Sequence, residues 1–363
     1  MNGENQLPTN EKESKKSTKT ILYIIFILVC LGSIAFTAYM DFSVETIMPF
    51  KDIIALIGEN WFYLVFALLS FSIVVIMDGL KTSLLLYGST KKFNLPLGLG
   101  TGILTRFYDY VTPFGAGGQP FAIYHMNKKG VETGAATATV FTSFFLQQAC
   151  FAILSVISLI FSTNLVGLTE ATKILAIVSI FFCAFVPFLV IVFSLMPKIA
   201  SKFVAFIITI LAKIRIVKNR EEVTEKAINA VKTNAESIKS ISKNKLSFCL
   251  SILCSFIVWL AQCSIAYFTL RTFGYDLPVD GFTEWVQMVQ MCLILYLSIT
   301  LAPTPGGAGA SEVTFYFIFT TSLAGGVGFT ALMTWRLLSF YSYIILGAIR
   351  ELYDKTRRKK LLK

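Results

Sequence analysis

The sequence is short of charge and of histidine, and both shortages limit what kind of protein it encodes. Charged residues make up 15% of the 363 residues, hydrophobic residues 55%, and the mean hydropathy is +0.70. Soluble globular domains carry about 25% charged residues, so this composition excludes an ordinary soluble domain. The one histidine, His125, lies just before a basic pair, and we expect it at a membrane interface. The sequence also lacks G-x-S-x-G, Walker and H-E-x-x-H patterns, so we expect no catalytic residue and no cofactor.

Cysteine is present but is not arranged for metal binding or for disulfides. The seven cysteines all lie in apolar runs, and none forms a CxxC pair. Buried cysteines behave as small hydrophobic residues, so we predict neither a metal site nor a disulfide framework.

Long uncharged runs are abundant. Several approach or exceed the ~20 residues that a helix needs to cross a ~30 Å hydrocarbon core. They are residues 21–40, 62–78, 135–163, 174–197, 246–270, 285–302 and 329–349. Backbone groups in hydrocarbon must bond within their own segment, so the predicted fold class is an all-α polytopic transmembrane helix bundle. We expect the first run to be a retained helix rather than a cleaved signal peptide.

The positive charges set the expected orientation. Of the 32 lysines and arginines, eleven lie in residues 198–245 and seven in residues 350–363. Only Lys51, Lys173 and Arg271 fall in loops on the other side. The positive-inside rule therefore places both termini in the cytoplasm of a multi-pass plasma-membrane protein. The net charge of +11 then reflects topology and attraction to anionic lipid rather than nucleic-acid binding.

Two cytoplasmic termini require an even number of crossings. Six of the seven runs supply crossings. Two regions are left over, 94–126 and 282–326, and the second contains the seventh run, 285–302. The predicted organisation is a cytoplasmic tail (1–19), a first transmembrane half (20–197), a cytoplasmic amphipathic linker (198–245), a second half (246–350) and a basic tail (351–363).

The two regions left over carry matching interrupted segments. TPFGAGGQPFAIY at 112–124 and TPGGAGASEVTFY at 304–316 share six of thirteen positions without a gap. Proline and glycine are unfavourable within helices, and paired interruptions of this kind mark the binding sites of many transporters. A chance likeness between ordinary Gly/Pro loops is the alternative.

The arms of the first segment are too short to span, which favours a re-entrant hairpin from the cytoplasm. The second segment would enter from outside, giving inverted repeats. Residues 285–302 are nevertheless long enough to cross completely, so a pair of full crossings stays open.

Charges inside apolar runs point to the same segments. Arg336 lies mid-span, and its expected partner is Glu312. Arg106 and Asp109 are three apart and share a helix face. For Asp78 and Lys81, a snorkelling interfacial pair and a role in a site are equally supported. Half-helix N-termini and guanidinium groups both suit phosphate, so we predict a lipid head-group site. Its candidate residues are Arg106, Asp109, Thr112, Pro113, Gly115, Gly117, Gln119, Pro303, Pro305, Gly306, Gly307, Gly309, Glu312 and Arg336.

The motifs TPFGAGGQP, APTPGGAGASE and TWRLLSFY resemble those of the lysylphosphatidylglycerol synthase transmembrane-region family over residues 21–353. The resemblance implies a stand-alone relative of the flippase half of MprF-type proteins, with 303–312 and Arg336 near a lipid pathway. It does not extend to the soluble lysyltransferase domain of full-length members. Gln119 stands where the resemblance leads us to expect a charged residue.

The expected function is translocation of an anionic or aminoacylated phospholipid, with phospholipid head groups as partners. Polyprenyl-phosphate lipid transport, a role in phosphatidylglycerol lysylation beside a separate lipid-modifying enzyme, and a membrane scaffold are the alternatives. Oligomerisation stays open, and no nucleic-acid partner is expected.

Overall fold

The computed structural model describes residues 48–161, 196–213 and 241–361, with gaps at 113–114, 116, 277–278, 301, 303, 320–322 and 324, and isolated positions elsewhere. The runs at 21–40 and 174–197, most of the linker, and Pro113 and Pro303 lie outside this part. The helices are α1 (Phe50–Glu59), α2 (Trp61–Thr90), α3 (Leu95–Val111), α4 (Gly118–Lys128), α5 (Thr133–Phe161), α6 (Pro197–Lys213), α7 (Lys245–Thr272), α8 (Gly281–Thr300), α9 (Ala310–Phe319), α10 (Val327–Arg336) and α11 (Ser342–Leu361).

The predicted all-α membrane bundle is confirmed. Within the described residues, five segments are long and apolar enough to cross a membrane. They are Trp61–Thr90, Thr133–Ser158, Lys245–Thr272, Gly281–Thr300 and Val327–Asp354. The last combines α10, a π-helical stretch (Leu337–Tyr341) and α11, which continues through most of the predicted basic tail.

Helix α7 forms the centre of the bundle. It is apolar around its whole circumference, which is the pattern of a buried helix. Small residues such as Ser251, Ser255 and Ala266 are fully buried along it and permit close packing. The main hydrophobic core joins α7 to α8, α9 and α10 through residues such as Cys292 and Phe315.

Helices α2 and α3 pack unusually closely through small residues. Gly79 and Ser83 on α2 face Gly98 and Gly102 on α3, and a methyl group at Gly98 would overlap Ser83 and the Gly79 carbonyl. Spacing of small residues by four places them on one helix face and lets two backbones approach. This contact fixes the base of α3 beside α2.

Helices α3 and α4 form a first hairpin. Asn94 begins α3 by accepting a hydrogen bond from the Leu97 N–H at 3.0 Å. At the tip, Thr112 Oγ1 accepts from the Gly117 N–H at 2.9 Å. On the return arm, the Phe121 ring stacks on Tyr108 with centroids 3.7 Å apart. The chain therefore turns back on itself inside the bundle, as the sequence predicts.

Helices α8 and α9 form a second hairpin, with a 3₁₀ turn (Pro305–Gly307) at its tip. Although α8 has 20 residues, Tyr296 near its C-terminal end packs edge-on against Trp259 at the middle of α7, with centroids 5.6 Å apart. Helix α8 therefore stops about half-way along α7, and α9 runs back beside it. This geometry favours the hairpin over the alternative of two full crossings.

The hairpins enter from opposite ends of the bundle. At one end, Lys129 beyond the first hairpin pairs with Asp354 at 2.8 Å. At the other, Glu284 at the base of the second hairpin pairs with Arg271 at 3.3 Å. We call these the Asp354 end and the Glu284 end. The two tips meet in the interior, where the C-terminal part of α3 contacts the Pro305–Gly307 turn.

Candidate functional site

A cavity of about 150 Å³ lies beside the first hairpin. It is enclosed by α2, α3 and α5, with one residue from α4 and one from α7. Four ionisable side chains face it together with amides, hydroxyls and one indole ring. The lining comprises Asp78, Lys81, Thr82, Thr101, Gly102, Thr105, Arg106, Asp109, Gln119, Val140, Ser143, Phe144, Gln147, Gln148 and Trp259.

One carboxylate in this cavity serves two cations. Lys81 Nζ donates to Asp78 Oδ1 at 2.6 Å, and Arg106 Nε donates to Asp78 Oδ2 at 3.3 Å. The Lys81 residue is only 2% exposed, so the pair is not a snorkelling interfacial one. Because charged side chains at membrane depth are costly, such groups usually face a cavity or a partner. Here they do both.

Hydrogen-bond donors remain available at this site. Lys81 Nζ also donates to Gln147 Oε1 at 2.8 Å, which leaves the amide nitrogen of Gln147 to be satisfied. That nitrogen is buried and has no hydrogen-bond partner within the described part of the chain. Arg106 forms its ion pair through Nε alone. A buried unpaired donor needs a water molecule or a ligand atom, so the cavity is suited to a ligand that accepts hydrogen bonds.

The N-terminus of the return helix α4 is already capped. Asp109 Oδ1 accepts from the Gly118 N–H at 2.9 Å, and the Thr112 hydroxyl accepts from Gly117. A side chain at Gly118 would overlap Asp109. The backbone donors expected to bind phosphate are therefore occupied by the hairpin's own side chains, which shows why acidic and hydroxyl residues precede this glycine pair.

The predicted pairing of Arg336 with Glu312 is confirmed. Arg336 Nη2 lies 2.5 Å from Glu312 Oε1, and Nε donates to the same oxygen at 2.7 Å. Arg336 Nη1 donates to the Gly306 carbonyl at 3.3 Å, and Nη2 also donates to Ser311. Glu312 Oε2 in turn accepts from the Gly309 N–H at 2.7 Å. All three guanidinium nitrogens thus bind the second turn itself.

The remaining predicted residues shape the two turns. Gly115, Gly306, Gly307 and Gly309 all have positive φ, a region that favours glycine over other residues. Pro305 is buried in the second turn. Of the predicted set, Arg106, Asp109 and Gln119 line the cavity, whereas Arg336 and Glu312 do not. The structure therefore separates the predicted single site into two clusters.

Among the cavity residues that the candidate set omits, Asp78, Lys81 and Gln147 form its central polar contacts. Two features of the sequence point to these residues. Asp78 and Lys81 carry opposite charges three positions apart in one apolar run, and Gln147 and Gln148 interrupt another. What the sequence could not supply is the pairing across helices, because Lys81 and Gln147 are 66 residues apart.

A bundle in which two opposed re-entrant hairpins meet beside a charged cavity defines a class of polytopic membrane protein. The family described as lysylphosphatidylglycerol synthase TM region matches residues 20–347, and the chain belongs to that family.

Two archaeal proteins are similar to this chain, one over most of its length and the other over less than half of it. A UPF0104 membrane protein of Archaeoglobus fulgidus is 23% identical over 306 residues, covering 83% of this chain and 89% of that protein. A second UPF0104 membrane protein, from Pyrococcus horikoshii, is 24% identical over 168 residues, covering 45% of this chain and 48% of that protein. No solved structure matches the chain.

Proposed function

We propose that this protein moves anionic or aminoacylated phospholipids between membrane leaflets and that the cavity binds the phosphate of the head group. The observation that carries the proposal is the arrangement around Asp78: buried Lys81 and half-buried Arg106 share one carboxylate, and the unpartnered amide nitrogen of Gln147 lies beside them. Phosphate supplies several strong acceptor oxygens, and guanidinium binds them in bidentate fashion. Lysylphosphatidylglycerol, from the family's description, carries such a phosphate.

The number of hydrogen-bond donors without a protein partner favours the first hairpin over the second as the phosphate site. The two Nη nitrogens of Arg106 donate no hydrogen bond to a described residue, whereas every guanidinium nitrogen of Arg336 donates to Gly306, Ser311 or Glu312. We therefore assign phosphate binding to Arg106, Lys81 and Gln147. Arg336 and Glu312 hold the second turn in place.

The proposed orientation has the Asp354 end in the cytoplasm. Lys91, Lys92, Lys128 and Lys129 are exposed near this end, and short cytoplasmic loops are enriched in lysine and arginine. The first hairpin, and the cavity beside it, would then be reached from the cytoplasmic leaflet. Labelling of a cysteine introduced at Lys128 in sealed, right-side-out vesicles tests this; labelling from the outside would reverse the assignment.

The test of function is lipid translocation in proteoliposomes carrying fluorescent phosphatidylglycerol, lysylphosphatidylglycerol or phosphatidylcholine. We expect the wild-type protein to move the first two faster than phosphatidylcholine. Arg106→Gln should slow that movement at least tenfold, since charge-assisted hydrogen bonds contribute about 1.5–3 kcal/mol each. Lys92→Gln removes the same charge from an exposed position and should have no effect. Equal rates for Arg106→Gln and wild type would refute the site.

A further inference from the structure

Aromatic side chains connect the cavity with the second turn. Trp259 lines the cavity and packs edge-on against Tyr296. Tyr296 in turn lies edge-on to Trp335, with centroids 6.3 Å apart. Tyr110 at the tip of the first hairpin contacts Tyr343 on the last span, with centroids 5.9 Å apart. These rings occupy the centre of the bundle, where the two hairpin tips meet.

Polar atoms in this aromatic group lack partners. The unpartnered atoms are Gln262 Oε1, Trp335 Nε1 and the Tyr343 hydroxyl, each with no hydrogen bond to any described residue. The three residues are 3%, 1% and 1% exposed. Gln262 uses its amide nitrogen to donate to the Tyr296 hydroxyl at 2.8 Å. Native interiors rarely leave buried polar atoms unpaired unless water or a ligand satisfies them.

Tyr110 lies between the two charged clusters. It follows Arg106 by one turn of α3, and its hydroxyl donates to the Ser339 carbonyl at 3.3 Å. Its ring lies 4.9 Å from that of Phe340, and the Arg336 guanidinium lies over the Phe340 ring. Ser339 belongs to the π-helical stretch of the last span. Such stretches are rare and frequently occur at functional sites. The aromatic contacts therefore extend from the cavity to the Arg336 turn.

We infer that Gln262, Tyr296, Trp335, Tyr343 and Tyr110 form a hydrated passage between the hairpin tips, through which the polar head group leaves the cavity toward the Glu284 end. The groups that line it are neutral and include both donors and acceptors. They can bind water and the hydroxyl or amine groups of a head group. Because the passage is neutral, we assign discrimination between lipids of different charge to the cavity. The head-group role rests on the proposed function, whereas hydration of the passage does not.

Hydration is tested by cysteine accessibility in a variant with the native cysteines replaced. Gln262→Cys should react with a small water-soluble methanethiosulfonate. Cys263 restored alone in that background should not, because it points to a different face of the same helix and is 1% exposed in the main core. Failure of Gln262→Cys to react, in protein that elutes as a single folded species, would overturn the passage. Reaction at both positions would also overturn it, because the labelling would then report general opening of α7.

The head-group role is tested with Tyr343→Phe, which removes one hydroxyl and keeps the ring. We expect lipid translocation at least tenfold slower than wild type, with unchanged affinity for dihexanoyl phosphatidylglycerol, the probe for the cavity. A wild-type translocation rate would show that the hydroxyl plays no part in passage. If wild-type protein moved no lipid while Gln262→Cys was labelled, the proposed function would fail and the hydrated passage would stand.

Discussion

The two hairpins share six of thirteen residues at their turns but differ in how the nearby arginine is neutralised. Each places an arginine beside a glycine-rich turn and a carboxylate on the N-terminal donors of the return helix. In the first hairpin the arginine's counter-charge comes from α2, and the arginine faces a cavity. In the second, Glu312 both caps the return helix and pairs with Arg336, and neither residue lines the cavity.

The position of the acid relative to the turn accounts for this difference. Asp109 precedes its turn and reaches forward to Gly118, which leaves Arg106 to pair elsewhere. Glu312 follows its turn, so one of its oxygens reaches back to Gly309 while the other meets Arg336. One motif can thus leave the arginine facing a cavity or enclose it in an ion pair, depending on where its acid lies.

The largest expected effect comes from opening the closed cluster. Glu312→Gln removes the counter-charge of buried Arg336, and loss of one partner from a buried ion pair costs about 3–5 kcal/mol. We expect the free energy of unfolding, measured by denaturant titration in mixed micelles, to fall by that amount. The double variant Glu312→Gln with Arg336→Gln should recover much of the loss. Additive losses in the double variant would show that the pair is not a unit.

Matched glycine substitutions compare the two tips directly. Gly115 and Gly306 both have φ of 61°, so alanine strains both backbones by about 1–2 kcal/mol. At Gly306 the added methyl would also overlap the Phe340 ring, whereas at Gly115 its closest neighbour is Asp109 at 3.9 Å. Overpacking adds about 1–3 kcal/mol. We therefore expect Gly306→Ala to lower the melting temperature clearly more than Gly115→Ala; equal shifts would contradict the tighter packing of the second tip.

A charge placed in the cavity should change ligand binding with a defined sign. At an effective dielectric constant of about 20, a unit charge roughly 12 Å away contributes ~1.4 kcal/mol, or about tenfold in affinity. Gln119 lines the cavity. Gln119→Glu should therefore weaken binding of dihexanoyl phosphatidylglycerol about tenfold, and Gln119→Lys should strengthen it. Changes of the same sign in both variants would contradict an anion site.

The sequence predicted the hairpins because proline and glycine interrupt apolar runs at matching places. It predicted the Arg336–Glu312 pair because few acids are available at membrane depth. It could not predict that Asp78 would serve Arg106, since that contact depends on the close approach of α2 and α3 through Gly79 and Gly102. Nor could it show that the helix N-termini would be capped internally, because capping by Asp109 depends on the path of the turn.

The smallest expected effect comes from breaking the ion pair at the base of the first hairpin, which is compared with the ion pair at the base of the second. The Lys129 side chain is 33% exposed where it pairs with Asp354, and exposed ion pairs contribute about 0–1 kcal/mol. Lys129→Gln should therefore lower the free energy of unfolding by less than about 1 kcal/mol, and the loss should shrink in high salt. Glu284→Gln is the matched variant at the other base, where Glu284 is 1% exposed and pairs with Arg271. A salt-independent loss for Lys129→Gln as large as that for Glu284→Gln would show that both hairpins are anchored with equal strength.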